Sequence, residues 1–141
     1  MNVYFETSAF FKLVVDEDGS AEAVELWEAA HRVIASRLMY PEARAALAAA
    51  ARAGRVTSTE LRLVRSRVES RWNQVEIIEI DDEIARASGH LAEAHALRGY
   101  DSVHLASAVA LADEASVLAT WDYELRVAGG RLGLQIAPAA I

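Results

Sequence analysis

The chain has 141 residues, a net charge of −7 and no cysteine, so disulfides and thiolate metal sites are excluded. A single domain over residues 1–141 is expected, able to bury about two-thirds of its unfolded surface without staples. The acidity argues against holding nucleic acid on a diffuse basic surface. It leaves open a nucleic-acid enzyme that works through metal ions. Thirteen of the fourteen cations are arginine, which can fork two hydrogen bonds onto one phosphate. No basic-then-apolar signal pattern opens the chain, and no apolar run approaches the roughly 18 residues of a membrane span. A cytoplasmic protein without a membrane partner is expected.

Val3-Tyr4-Phe5 is a short β-prone run ending in Glu6, and Thr7 or Ser8 is a natural N-cap for a helix to about Val15. The turn-prone 16–19 segment follows, and Ser20 caps an amphipathic helix with Val24, Leu26 and Trp27 as its buried side. Val33-Ile34-Ala35 reads as a buried strand ending in Ser36. Tyr40 to Ala53 is rich in alanine and leucine, with Pro41 in its first turn and Gly54 at its end, so a helix is expected. Thr57 or Ser58 opens another helix, with Leu61, Val64 and Val68 on one stripe. Val75 to Ile80 is the next strand, and Asp81 or Asp82 caps a helix through Ile84, Ala87, Leu91 and Ala94. A break at Arg98-Gly99-Tyr100 precedes a helix from Asp101 to about Ala112. Val117-Leu118-Ala119 is a strand, Asp122 starts a short helix, and Leu134-Gln135-Ile136 is an edge strand. Strands alternating with helices predict a parallel sheet covered on both faces, with right-handed crossovers that align the strand ends.

On that template Glu6, Glu42, Asp101 and Asp122 all fall at strand-end to helix-start junctions, on one side of the sheet. Open α/β sheets place their ligand sites there. Each acid also has a simpler reading, because capping and the macrodipole favour acids near helix N-termini. Glu22, Glu25, Glu60 and Glu93 read as solvated mid-helix positions.

These residues resemble a known family. Tyr4-Phe5-Glu6-Thr7-Ser8-Ala9 looks like the opening motif of PIN-domain nucleases, the VapC toxins in particular, and 36–47 with Glu42 is similar to the second acidic segment. Gly99 to Ala108 resembles the third, in which an aspartate opens a helix continuing as His-Leu-Ala, and Ala119-Thr120-Trp121-Asp122 with Leu125 resembles the fourth. The four motifs stand in the right order over nearly the whole chain. The resemblance implies a three-layer α/β/α PIN-like fold with a central parallel sheet. It also implies an Mg²⁺- or Mn²⁺-dependent endoribonuclease acting on RNA, usually a homodimer, held inactive by a cognate VapB-type antitoxin.

The family's first acid is an aspartate, whereas position 6 here is glutamate. The extra methylene carries the carboxylate outward by about 1.5 Å. Mg²⁺ demands tightly defined oxygen distances, so glutamate could bind through water or weaken the site. An activity-impaired domain that mainly binds RNA or an antitoxin is the alternative.

Converging carboxylates repel one another, and a divalent ion relieves the repulsion. Oxygen-only ligands without a nearby His-x-x-x-His pair favour Mg²⁺ or Mn²⁺ over Zn²⁺. Asp101 is then the strongest direct ligand, with Glu6 sharing the ion directly or through water. Glu42 and Asp122 complete the set or orient the attacking water. Thr7, Ser8 and Thr120 are candidate hydrogen-bond donors to the carboxylates. His104 shares a helical face with Asp101 and reads as a packed histidine bridging helix and sheet, or as a catalytic base. His90 and His95 read as surface residues. Trp121 and Tyr123 suit either base stacking or packing. Arg37, Arg44 and Arg98 suit either phosphate contacts or solvent. Phe10, Phe11 and Leu13 pack the first helix.

Overall fold

Strand β1 (Asn2–Phe5) lies at the centre of the sheet, flanked by β2 (Arg32–Ser36) and β4 (Ser116–Ala119). The computed structural model describes residues 1–112 and 116–141. β3 (Glu76–Ile78) and β5 (Gln135–Ala137) form the edges, giving the order β3-β2-β1-β4-β5 with every pairing parallel. The helices are α1 (Thr7–Val14), α2 (Ser20–Ala29), α3 (Met39–Arg52), α4 (Ser58–Trp72), α5 (Asp82–His95), α6 (Gly99–Ala110) and α7 (Tyr123–Arg131). The expected three-layer α/β/α architecture is the one observed.

Strand alternation divides the interior in two. Val3 and Phe5 point to one face, joining Ala35 and Ala119 against Phe10, Trp27, Leu47 and Val68 from α1 to α4. Phe5 meets Trp27 edge-on, with ring centroids 5.3 Å apart. Truncating a ring so enclosed costs about 3–5 kcal/mol. Tyr4 points to the opposite face, with Ile34 and Leu118, against Ala108 of α6. Leu97, Leu105, Leu125 and Ala128 continue that layer between α5, α6 and α7. α7 rides so close to β5 that a Cβ on Gly129 would stand 2.9 Å from Ile136.

Several boundaries differ from expectation, and each has a local cause. Glu6, not Thr7 or Ser8, caps α1: its backbone is extended and its side chain accepts from the Ser8 amide. Gly19, with φ of +89°, precedes α2, because the chain turns there against Trp121 and a side chain would collide. Ser20 therefore sits inside the helix, its Oγ accepting from the Glu17 amide. The buried side of α2 is Ala23 and Trp27, with Val24 and Leu26 half-buried. α3 begins one residue early, at Met39, after the Ser36 hydroxyl accepts from the Leu38 amide. α6 begins at Gly99 rather than Asp101, so the expected break is its first turn. β3 stops at Ile78, as an edge strand paired only to β2, and β5 is shifted one residue onward.

Thr57 caps α4 in a reciprocal box with Glu60, which is therefore a capping residue rather than a mid-helix one. Asp81 caps α5 through Ile84, but Ala94 lies exposed, and Ser88 takes a buried place on that helix. No described helix is long and apolar enough to cross a membrane.

Candidate active site

Parallel strands raise their carboxyl ends to the same side, and four acids gather there. Glu6 follows β1, Asp122 follows β4 by three residues, Glu42 lies in the first turn of α3 after β2, and Asp101 lies in the first turn of α6. All four, with Thr7 and Ser8, line one open cleft of about 620 Å³.

Each carboxylate has one oxygen tied down. Glu6 Oε2 accepts from the Ser8 amide (3.0 Å), the Ser8 hydroxyl (2.5 Å) and the Thr120 hydroxyl (2.8 Å). Glu42 Oε1 accepts from the Thr7 hydroxyl at 2.8 Å and lies 2.5 Å from His104 Nε2. Asp101 Oδ2 accepts from Arg98 Nε at 2.9 Å, and Asp122 Oδ1 accepts from the Leu125 amide at 2.9 Å as the cap of α7. Among the described residues, Glu6 Oε1, Glu42 Oε2 and Asp101 Oδ1 carry no hydrogen bond. Thr7, Ser8 and Thr120 thus each place a hydroxyl on a carboxylate. The Thr120 hydroxyl also accepts from the Asp122 amide, joining two of the acids through one side chain.

Burial shapes the charge. Glu6 is only 6% exposed and Asp101 4%. Desolvation pushes the Glu6 carboxyl above its ordinary value, and the Ser8 and Thr120 donors oppose that shift. Desolvation likewise raises Asp101, against the pull of Arg98, while neighbouring Asp122 adds to the rise. Arg98 spans the two, its second nitrogen 3.9 Å from Asp122, and its own basicity is raised by Asp101.

The oxygen donors suit a hard divalent cation in chemistry and in charge. Among the described residues, no three acid or imidazole side chains stand drawn together as a finished coordination sphere. Hydroxyls and Arg98 occupy the bound oxygens.

Other expected residues fall elsewhere. Arg37 is not at the cleft mouth but pairs with Glu79 beyond the end of β2. Arg44 packs on the Tyr40 ring and reaches Glu69 on α4. Only Arg98 of the three lines the cleft. Trp121 is half-buried beside Gly19 with Lys12 over its ring, whereas Tyr123 is 73% exposed. His90 is exposed, and His95 half-buried. His104 is fully buried and does bridge helix to sheet, meeting Tyr4 of β1 as well as Glu42.

Sequence reasoning missed three residues. Lys12 and Arg55 line the cleft, and nothing in their spacing singles them out. Arg126 reaches back from α7 to the carbonyls of Thr120 (2.8 Å) and Pro138 (2.5 Å), bracing the strand end that carries Thr120. Its position four residues after Asp122 was the available hint.

A parallel sheet whose strand ends gather four acids into one cleft defines an open α/β domain with its candidate site at the carboxyl ends of the strands. A family model described as PIN domain matches residues 3–130, and the chain belongs to that family. It is 45% identical over 139 residues to Ribonuclease VapC45 of Mycobacterium tuberculosis, a match covering 99% of this chain and 96% of that protein. The fold is shared with PAE2754 from Pyrobaculum aerophilum, at a TM-score of 0.68 and 20% identity, covering 100% of this chain and 88% of that one. It is shared too with VapBC-5, a member of the VapBC toxin–antitoxin family from M. tuberculosis, at 0.64 and 20% identity, covering 96% and 98%.

Proposed function

We propose that this chain is a single-domain, cytoplasmic endoribonuclease dependent on Mg²⁺ or Mn²⁺, the toxin of a VapBC-type pair. The observation that carries the reading is the meeting of Glu6, Glu42, Asp101 and Asp122 in one cleft at the strand ends. The 45% identical relative is named a ribonuclease, and the shared fold of VapBC-5 supports a VapB-type antitoxin as partner, while a homodimer is what the family resemblance implies.

Asp101 and Glu6 would hold the ion, with Asp122 and Glu42 completing its shell or orienting the attacking water. When bound, the divalent ion supplies Lewis acidity to the scissile phosphodiester and favours ionisation of an attacking water. The protein's part is to aim the oxygens. Ser8 and Thr120 fix Glu6, Thr7 fixes Glu42, and the α7 cap fixes Asp122. Lys12, Arg55 and Arg98 line the same cleft and hold the RNA phosphates. The test is cleavage of a single-stranded RNA with Mn²⁺ or Mg²⁺. It is lost on adding EDTA and in Asp101→Asn, and unchanged cleavage in Asp101→Asn contradicts the assignment.

One observation favours a second reading. Glu6 spends one carboxylate oxygen on three donors and on capping α1, and is almost wholly buried. A carboxylate so engaged suits an activity-impaired domain that acts by binding RNA or an antitoxin. Firm RNA or antitoxin binding without metal-dependent cleavage selects this reading.

A further inference from the structure

Behind Glu42 lies a line of buried polar groups that the proposed reaction does not itself use. The Ser36 amide at the end of β2 donates to the Tyr4 hydroxyl at 3.2 Å. That hydroxyl lies 2.8 Å from His104 Nδ1, and His104 Nε2 lies 2.5 Å from Glu42 Oε1 and 3.2 Å from the Thr7 hydroxyl. His104 is 0% exposed and Tyr4 3%, so the bond between them is shielded from water, while the Glu42 side chain at the cleft end is 24% exposed.

We infer that His104 is a positioning residue, an imidazole held from behind by Tyr4 that donates from Nε2 to Glu42 and fixes the direction of that carboxylate. This rests on the function proposed above.

The proton inventory sets the donor. The Tyr4 hydroxyl, which accepts from the Ser36 amide, meets Nδ1 on the far side of the ring. A carboxylate only accepts, so the nitrogen facing Glu42 Oε1 must carry a proton. Thr7 donates to the same oxygen at 2.8 Å, and the two donors together leave Glu42 Oε2 free on the carboxylate plane. The chain of bonds starts at the backbone of β2, so the sheet itself holds Glu42 in place. A carboxylate on the first turn of a helix otherwise has free rotation about its side-chain bonds. Partners behind a ligand commonly matter about 10–100-fold in metal affinity.

The experiment combines two measurements on the full chain. Nitrogen-15 spectra of the imidazoles, with His104 identified by its loss in His104→Gln, are expected to show a proton on Nε2. A bare Nε2 overturns the inference. Mn²⁺ binding is then compared in three folded variants. His104→Leu, which keeps volume without a donor, is expected to bind about tenfold more weakly or worse. His104→Gln, whose amide nitrogen reaches the Nε2 position, keeps most of the affinity. His104→Asn, too short to reach Glu42, does not.

Wild-type affinity in His104→Leu, or equal loss in the Gln and Asn variants, overturns the inference. Should His104→Leu fail to fold, the Gln and Asn pair decides alone. RNA cleavage separates the two proposals. A wild type that binds Mn²⁺ with the Nε2 proton in place but cuts no RNA defeats the nuclease reading and leaves the positioning role standing. A wild type that cuts RNA as well as His104→Leu does the reverse.

Discussion

The Thr120 hydroxyl donates to Glu6 Oε2 across 2.8 Å, tying the end of β4 to the end of β1 through side chains 114 positions apart. The same hydroxyl accepts from the Asp122 amide, so one threonine orients an acid on each strand end. Thr120→Val keeps the shape and removes both bonds. Loss of a buried donor to a charged acceptor is expected to lower unfolding stability by about 1.5–3 kcal/mol. Urea denaturation measures it, and Thr120→Ser, which restores the hydroxyl, should recover most of the loss.

The departure at position 6 has its own test. Glu6→Asp shortens the side chain while keeping the charge, and aspartate is a good helix N-cap. Mn²⁺ affinity and RNA cleavage should both rise, as titration calorimetry and a cleavage assay would read. No change in either would mean that glutamate already reaches the ion as well as aspartate does.

Arg98 stands where it neutralises Asp101 and Asp122, with its own side chain 59% exposed. A fixed cation beside a cation site competes with the ion and also attracts phosphate. Arg98→Ala is therefore expected to tighten Mn²⁺ binding severalfold at low salt while raising KM for RNA. The tightening should fade as salt screens the pair. Weaker Mn²⁺ binding in this variant would contradict the placement.

Much of this could be read from the chain. The β-prone apolar run 3–5 ending in an acid and the alternation of strands with helices pointed to the parallel sheet, because each signal is local. The acids at strand ends were legible for the same reason: a right-handed crossover brings every strand end to one side. The N-cap of α1 was misplaced because a glutamate is a rarer cap than the hydroxyls beside it, and only the tertiary cluster with Thr120 makes it the better acceptor. Gly19 was missed because the need for a bare backbone arises from Trp121, a hundred positions away. Arg37 and Arg44 lie close to the motifs in sequence, yet partners on β3's continuation and on α4 turn them aside. The Tyr4–His104–Glu42 line depends on three elements meeting, which no spacing encodes.

The buried acids set a pH dependence whose sign can be worked out. Burial raises the Glu6 carboxyl above its ordinary value of 4.5 and Asp101 above 3.8. Between those values and the raised native ones the folded protein binds more protons than the unfolded chain, so stability falls as pH rises. In EDTA the melting temperature should drop from mildly acidic toward neutral pH. Glu6→Gln should flatten that drop, and added Mn²⁺ should stabilise most at the upper end, where the carboxylates are ionised. A metal-free melting temperature that climbs through this range contradicts the burial argument.

The most direct measurement is a crystal grown with Mn²⁺ and examined by anomalous scattering at the manganese edge. A single strong peak within bonding distance of an Asp101 oxygen, with Glu6 reaching it directly or through one water and Asp122 and Glu42 beside it, is the predicted result. Manganese bound elsewhere, with the cleft holding none while Arg98 still bridges Asp101 and Asp122, would contradict the account.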